Sequence, residues 1–431
     1  MDSLGAEIEQ VQSRIRETSP KYAALTQPAP LDLQDIQRRV LDRDTVLLEY
    51  ELGAERSFLW AVTSSSLATF ELPPRVTIES AAKKVYELLA ARNQRPASET
   101  ADAWAARVRW SDLTYFGAAS KLSRMLLGPA SSLIANKRLL VVAEGALQYL
   151  PFAALPEPGK RSPLIVEHEI VTAPSASVIA VLRQERVSRK PPDKALFVVA
   201  DPVFSAIDTR VGQQNTFPST AAIPSTAAMR PVVDRGMPDF VRLRFTRAEA
   251  EDISSFTPAA ATRKAFDFEA SRDAVMSPDI SRYRIVHFAT HSILDNEHPD
   301  LSGVVLSLVD RNGRRQNGFL RLYDIYNLRL RADLVVLSAC RTALGGDMKS
   351  EGLIGLTRGF FYAGSPRVLA TLWEVDDRTS ARLMKQFYER MLVAGETPAA
   401  ALRASQVAMW QTEGWEAPYY WAAFTLQGEW R

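Results

Sequence analysis

Four short apolar runs, ALFVVAD (195–201), IVHFAT (285–290), DLVVLSA (333–339) and RVLATLW (367–373), are what most constrains the fold of this chain. Each is continuous rather than alternating, as strands covered on both faces are. Around them stand SEGLIGLTRGFFYA, TSARLMKQFYERMLVA and TPAAALRASQVAMWQ, whose apolar residues fall at helical spacing. Strands interleaved with helices predict an α/β fold with a mostly parallel sheet and helices on both faces.

The first half carries a related pattern. TVLLEYEL, SFLWAVT and LATFEL read as an antiparallel meander, helical spacing follows at about residues 78–92 and 101–127, and RLLVVAE (138–144) reads as another buried strand. A basic, proline-containing stretch near residue 190 divides the chain into 1–190, a non-catalytic α/β half, and 191–431. Leu4, Ile8, Val11 and Ile15 predict a leading amphipathic helix over residues 3–17. Residues 205–240, rich in Ser, Thr, Ala, Pro and Gly without sustained period, predict a long mobile loop. Thr246 and Glu249 have the spacing of a capping box at a helix start.

Composition narrows the partners. Lys and Arg number 52 against 50 Asp and Glu, so no charge excess calls for nucleic acid. The charged N-terminus lacks a signal peptide's apolar core, and no window approaches a membrane span, so a cytoplasmic protein without membrane contact is expected. A single cysteine, Cys340, excludes an intramolecular disulfide and fits a reducing compartment.

The chain has four histidines, two of them in HFATHS, as His287 and His291. Open parallel sheets place chemistry at the carboxyl ends of their strands. His291 stands at such an end and His287 inside the run, where it is expected to serve the sheet. Cys340 ends its own apolar run, so two neighbouring parallel strands bring His291 and Cys340 to one edge. An imidazole beside a thiol raises the thiolate fraction and later protonates a leaving amine. The two residues are 49 positions apart, parallel to the caspase signature, where the histidine lies about 50 residues upstream of the cysteine. The bland reading, a buried structural cysteine and sheet histidines, stands beside this one. A metal site on His287, His291, His298 and Cys340 is disfavoured, because the stretch between the first two lacks the helical His-Glu-x-x-His pattern. No metal and no cofactor are therefore expected.

HFATHS, LVVLSACRTALGG, GLIGLTRGFFYAG, VLATLWEVDD and PYYWAAFTLQGEW resemble, in order and spacing, the motifs of the CHAT peptidases, and TVLLEYELG, EGALQYLPFAAL and TAPSASVIAVLR extend the resemblance into the first half. It implies a caspase-like cysteine endopeptidase, of the clan that includes separases and metacaspases, with a pseudo-caspase-like first half. The family's histidine falls on His291, its nucleophile on Cys340, and the oxyanion donors on the backbone amides of Ser292 and Cys340. Where the family has glycine after the histidine, this chain has Ser292. Metacaspases and separases place an aspartate at the position of Ser338, so a strict basic preference is not implied; Arg341, Trp373, Glu374 and Asp376 are further candidates for substrate contact. The implied partners are a dedicated protein substrate, such as the gasdermins that related proteins cleave in bacterial immune or cell-death pathways, and a regulatory repeat region or activator complex. The implied enzyme is latent until activated. The alternative is a caspase-like binding or signalling module without turnover.

Overall fold

The structure is a computed structural model, and it describes residues 19, 23–25, 28–93, 95–96, 98–187, 189–212, 240–295, 301–342 and 351–431. The expected leading helix over 3–17 and most of the expected loop over 205–240 lie outside the described residues.

In the first half, strands β1 (Thr45–Glu51), β2 (Ser57–Val62) and β3 (Leu67–Leu72) form the antiparallel meander that their polar turns predict. Helices α1 (Arg75–Leu89) and α2 (Ala101–Leu126) follow. The second starts where the Thr100 side chain accepts the Ala103 N–H, and it buries Val108, Tyr115, Ala119, Leu122 and Leu126 along one face. Strands β4 (Arg138–Val142) and β5 (Ile170–Thr172) then pair in parallel, with β4 also parallel to β1. Helix α3 (Ala176–Val187) leads into the second half.

There, β6 (Lys194–Pro202), α4 (Thr246–Ser254), β7 (Thr262–Asp267) and β8 (Tyr283–Leu294) are followed by the short β9 (Gly303–Val305) and β10 (Phe319–Arg321). Then come β11 (Leu334–Thr342), α5 (Glu351–Ala363), β12 (Arg367–Thr371), α6 (Asp377–Tyr388), α7 (Pro398–Trp410) and β13 (Phe424–Gly428). Strands β7, β6, β8, β11 and β12 run parallel in that spatial order. Their buried runs confirm a sheet covered on both faces. His287 meets Glu249 of α4 and Tyr388 of α6, whereas its neighbour Phe288 packs against Phe360 of α5 with ring centroids 6.1 Å apart.

Strand β13 pairs antiparallel with β12 and parallel with β5, so strands from before and after residue 190 lie in one sheet. Side chains reinforce the join: the Tyr86 hydroxyl donates to the Leu372 carbonyl at 3.0 Å, and its ring meets Trp373 edge to face. The first half thereby buttresses the strands of the second.

Two local expectations change. Thr246 is the first helical residue rather than a cap, and its hydroxyl donates back to the Leu243 carbonyl at 2.9 Å. Glu249 does not close a capping box but turns into the core, where its carboxylate accepts from His287 Nε2 at 2.8 Å. His287 Nδ1 is 2.9 Å from the Tyr388 hydroxyl, which completes a chain of three buried polar side chains. Burial and the Glu249 charge push the Tyr388 hydroxyl well above its ordinary value, so it remains protonated and free to donate. Satisfying a buried imidazole outweighs the modest gain of a helix cap.

His287→Ala strands a buried carboxylate and is expected to lower stability by about 3–5 kcal/mol, against about 1 kcal/mol for Tyr388→Phe. Urea unfolding of both variants checks this; a His287→Ala loss no larger than that of Tyr388→Phe would contradict the assigned chain.

Candidate active site

Along one edge β8 is paired with β11 throughout, whereas its other edge is shared. Strand β6 occupies that edge from Tyr283 to Ala289, and β9 takes it over at Ser292 and Ile293. His291 stands in the fork between them. Crevices of this kind, where neighbours diverge at the carboxyl end of a parallel strand, are where open α/β sheets bind ligands.

The β8–β11 register places Ala339 opposite His291 and Cys340 opposite Ser292. Adjacent strands lie about 4.8 Å apart, so the backbone sets the two residues expected to carry chemistry one register step apart on neighbouring strands. Both strands run on past the expected ends, to Leu294 and Thr342. The register also shifts between Leu337 and Ala339, so three steps of β8 match two of β11. This bulge interrupts strict alternation along the ladder. His287 is held by Glu249 and Tyr388, as a sheet residue; His291 has different company.

His291 is 5% exposed. Its Nε2 donates to the Val241 carbonyl at 2.7 Å, and its ring forms a triangle with those of Phe204 and Phe240, with centroids 5.4 and 5.5 Å away. A carbonyl only accepts, so this bond places the proton on Nε2. Val241 and Phe240 belong to a strap, residues 240–245, that leads into α4 without regular structure of its own before a closing turn.

Asp201 anchors the strap at a second point. It lies at the end of β6, in the left-handed region at φ +51°, where the β6–β7 register shifts. Its carboxylate is almost fully buried and receives Arg242 bidentately, with both contacts at 2.7 Å. Arg247 and Arg210 also bind it, at 2.9 and 3.0 Å. The neighbouring β7 ends on another left-handed aspartate, Asp267 at φ +52°, which accepts from the same Arg210 and Arg247. Aspartate tolerates this conformation better than most residues, and its use at two adjacent strand ends aims both carboxylates at one cluster.

A third anchor is Asp377, at the start of α6, which accepts the Phe245 N–H at 2.7 Å. Burial raises its carboxyl to about 6; the Phe245 N–H opposes that rise, and the charges of Glu249, Asp376 and Asp201 add to it.

The remaining candidates are distributed unevenly. Ser338 is buried, 3.5 Å from the Phe288 carbonyl at the bulge, so it faces the sheet interior and not a substrate. Trp373 is also fully buried, its indole N–H donating to the Tyr419 carbonyl at 3.3 Å; it packs the join between halves and does not line a groove. Glu374 is exposed, and Asp376 caps α6 by accepting the Thr379 N–H. Arg341 is placed by register beside Ile293. Ser292 pairs with Val304 on one edge and Cys340 on the other, and its φ is not positive, so the position does not demand glycine's conformational freedom. With strands on both sides its N–H points into a ladder, so service to an oxyanion requires one of these pairings to open. The Ser292 hydroxyl is buried without a hydrogen-bond partner among the described residues.

For metal binding, His287 has both ring nitrogens engaged, and His298 lies outside the described residues. Glu157, Glu167 and His168 lie close together in the first half. There, too, both His168 nitrogens have partners, Glu157 and the Lys137 carbonyl, and Glu167 pairs with Lys160.

Asp201 and Arg242 escape a reading that follows nucleophiles and bases. Asp201 was within reach of the strand-end rule, since it closes ALFVVAD as His291 follows IVHFAT.

Comparison with known proteins places the family and the fold. The family model described as CHAT domain matches residues 117–429. Tetratricopeptide repeat protein 28 of Mus musculus is 25% identical over 327 residues, covering 68% of this chain and 12% of that protein. Its Homo sapiens counterpart is 24% identical over 326 residues with the same coverage, so the chain spans only a small part of these relatives. Among solved structures, a Saccharomyces cerevisiae separase–securin complex aligns with a TM-score of 0.57 at 9% identity, covering 92% of this chain and 30% of that one.

Because the folded value of Asp377 exceeds the ordinary 3.8, the folded state holds the proton more tightly, and this group's stabilisation, complete below about pH 3.8, is lost as pH rises through about 6. Asp377→Asn should therefore gain stability relative to wild type between about pH 4 and about pH 7, by on the order of 1 kcal/mol after allowance for partial exposure. Unfolding free energies at both pH values test this; a difference that does not change with pH counts against it.

Proposed function

The chain belongs to the CHAT domain family, and from that premise we propose that it is a cysteine endopeptidase that cleaves a specific protein substrate with Cys340 as nucleophile and His291 as acid and base. One observation carries the proposal: the parallel β8–β11 ladder sets Cys340 one step from His291 at the fork of the sheet. His291 takes the thiol proton, and the thiolate attacks the scissile carbonyl. His291 then hands a proton to the departing amine, and water hydrolyses the acyl-enzyme. No metal or cofactor takes part in this scheme. The fold shared with separase supports the reading at the level of architecture alone.

The strap favours a resting enzyme. The Val241 carbonyl fixes the His291 proton on Nε2, which leaves Nδ1 as the basic nitrogen, while Phe240 of the strap packs against the ring at the fork where substrate must enter. Activation therefore involves removing residues 240–245 from His291, a task suited to a repeat-containing activator such as the named relatives bring to mind. We place the enzyme in the cytoplasm, and a bacterial immune or cell-death role with a gasdermin-like target is the biological form of the proposal. A second reading, a binding module without turnover, is favoured by the closed ladder at Ser292.

An acyloxymethyl ketone peptide probe separates the two readings, because Cys340 is the single thiol of the chain. Labelling is expected in the activated wild type, to vanish in Cys340→Ala, and to fall at least about a hundredfold in His291→Ala, the scale of a lost general acid–base. Undiminished labelling of folded His291→Ala would sink the dyad.

A further inference from the structure

The arginine on the strap points beyond latency. Three carboxylates, Asp201, Asp208 and Asp267, are met by three guanidinium groups, Arg210, Arg242 and Arg247. Two of these belong to the built cluster: Arg210 binds all three carboxylates, and Arg247, in α4, bridges Asp201 and Asp267. Arg242 alone comes from the strap, and its side chain is 43% exposed while that of Asp201 is 1% exposed. Without it the cluster keeps three negative and two positive groups, and a buried carboxylate loses its bidentate partner. Such a vacancy selects a basic group, since an unpaired buried charge is costly.

The seat also lies beside the chemistry. Arg242 follows directly on Val241, whose carbonyl is bound by His291, and Phe204, three residues after Asp201, stacks on the His291 ring. The strap is held by discrete contacts at the surface: Val241 is 73% exposed and Phe245 44% exposed, and attachment rests on the Phe240 ring, the Arg242 guanidinium and the backbone of Val241 and Phe245.

We propose that Asp201 is the floor of an acidic subsite beside His291, that Arg242 of the chain's own strap fills it at rest, and that a basic side chain of the protein substrate replaces Arg242 when cleavage begins. This rests on the cysteine-peptidase reading. It also assigns the charge preference to a residue outside the cysteine strand: buried Ser338 has no part in it. The strap is then an internal stand-in for substrate, and release of one arginine opens the specificity pocket.

The test compares two isosteric peptide chloromethyl ketones, ending in arginine or in uncharged citrulline, by the rate at which each alkylates Cys340 in the full chain. Arg242→Ala is expected to react with the arginine probe at least about tenfold faster than with the citrulline probe, and at least about tenfold faster than wild type does. Adding Asp201→Asn to that variant should erase the preference; asparagine also tolerates a positive φ, and the citrulline comparison reads the charge without altering Asp201 should the double variant not fold. Equal rates with both probes in Arg242→Ala, still dependent on His291, overturn the acidic subsite and leave the peptidase reading standing. A wild type as reactive as Arg242→Ala overturns the strap. Rates unchanged by His291→Ala, or no alkylation by either probe in folded Arg242→Ala, overturn the peptidase reading and the subsite with it.

Discussion

Everything distinctive about this molecule depends on the parallel pairing of β8 with β11. That ladder brings His291 and Cys340, 49 positions apart in the chain, to within one register step, and it continues past the point where β6 leaves the other edge of β8. A parallel pair cannot be closed by a tight turn, so its two strands need a crossover and covered faces. The surrounding structure supplies both: α4 and α6 press on one face, α5 on the other, and the first half extends the sheet through β13 and β5. The bulge at Leu337–Ala339 then uncouples the site from the core, so that a fully satisfied imidazole and a second, differently held one sit on the same strand.

Charge organises the rim as the ladder organises the floor. The buried Asp201 would be a heavy liability alone, and it is tolerated because three guanidinium groups surround it. One of those groups lies on a strap much of which faces solvent, so a buried charge is joined to a surface segment. The backbone carbonyl next to that arginine accepts from His291 Nε2, which ties the strap to the imidazole and fixes its tautomer.

Much of this architecture was legible in the amino-acid sequence. Continuous apolar runs marked β6, β8, β11 and β12, because burial on both faces removes alternation, and the strand-end rule singled out His291 and Cys340. What was not legible came from tertiary demand. Glu249 has the spacing of a cap, yet a buried His287 needed an acceptor and took it. Ser338 and Trp373 lie next to functional motifs but are buried, Ser338 in a strand covered on both faces and Trp373 in the bend after β12, where it packs against Tyr86 of the first half. The join of the two halves depends on the last strand inserting between β12 and β5, which no local pattern announces. The strap has no period to read, and only its contacts reveal its place.

The pairing of His291 with Cys340 is most directly tested by the pH dependence of iodoacetamide alkylation of the single thiol, in Arg242→Ala and in Arg242→Ala/His291→Ala. With the imidazole present, the midpoint should lie clearly below the ordinary thiol value of about 8.5, and its removal should return the midpoint to that value. Superimposable profiles in the two proteins would contradict the account.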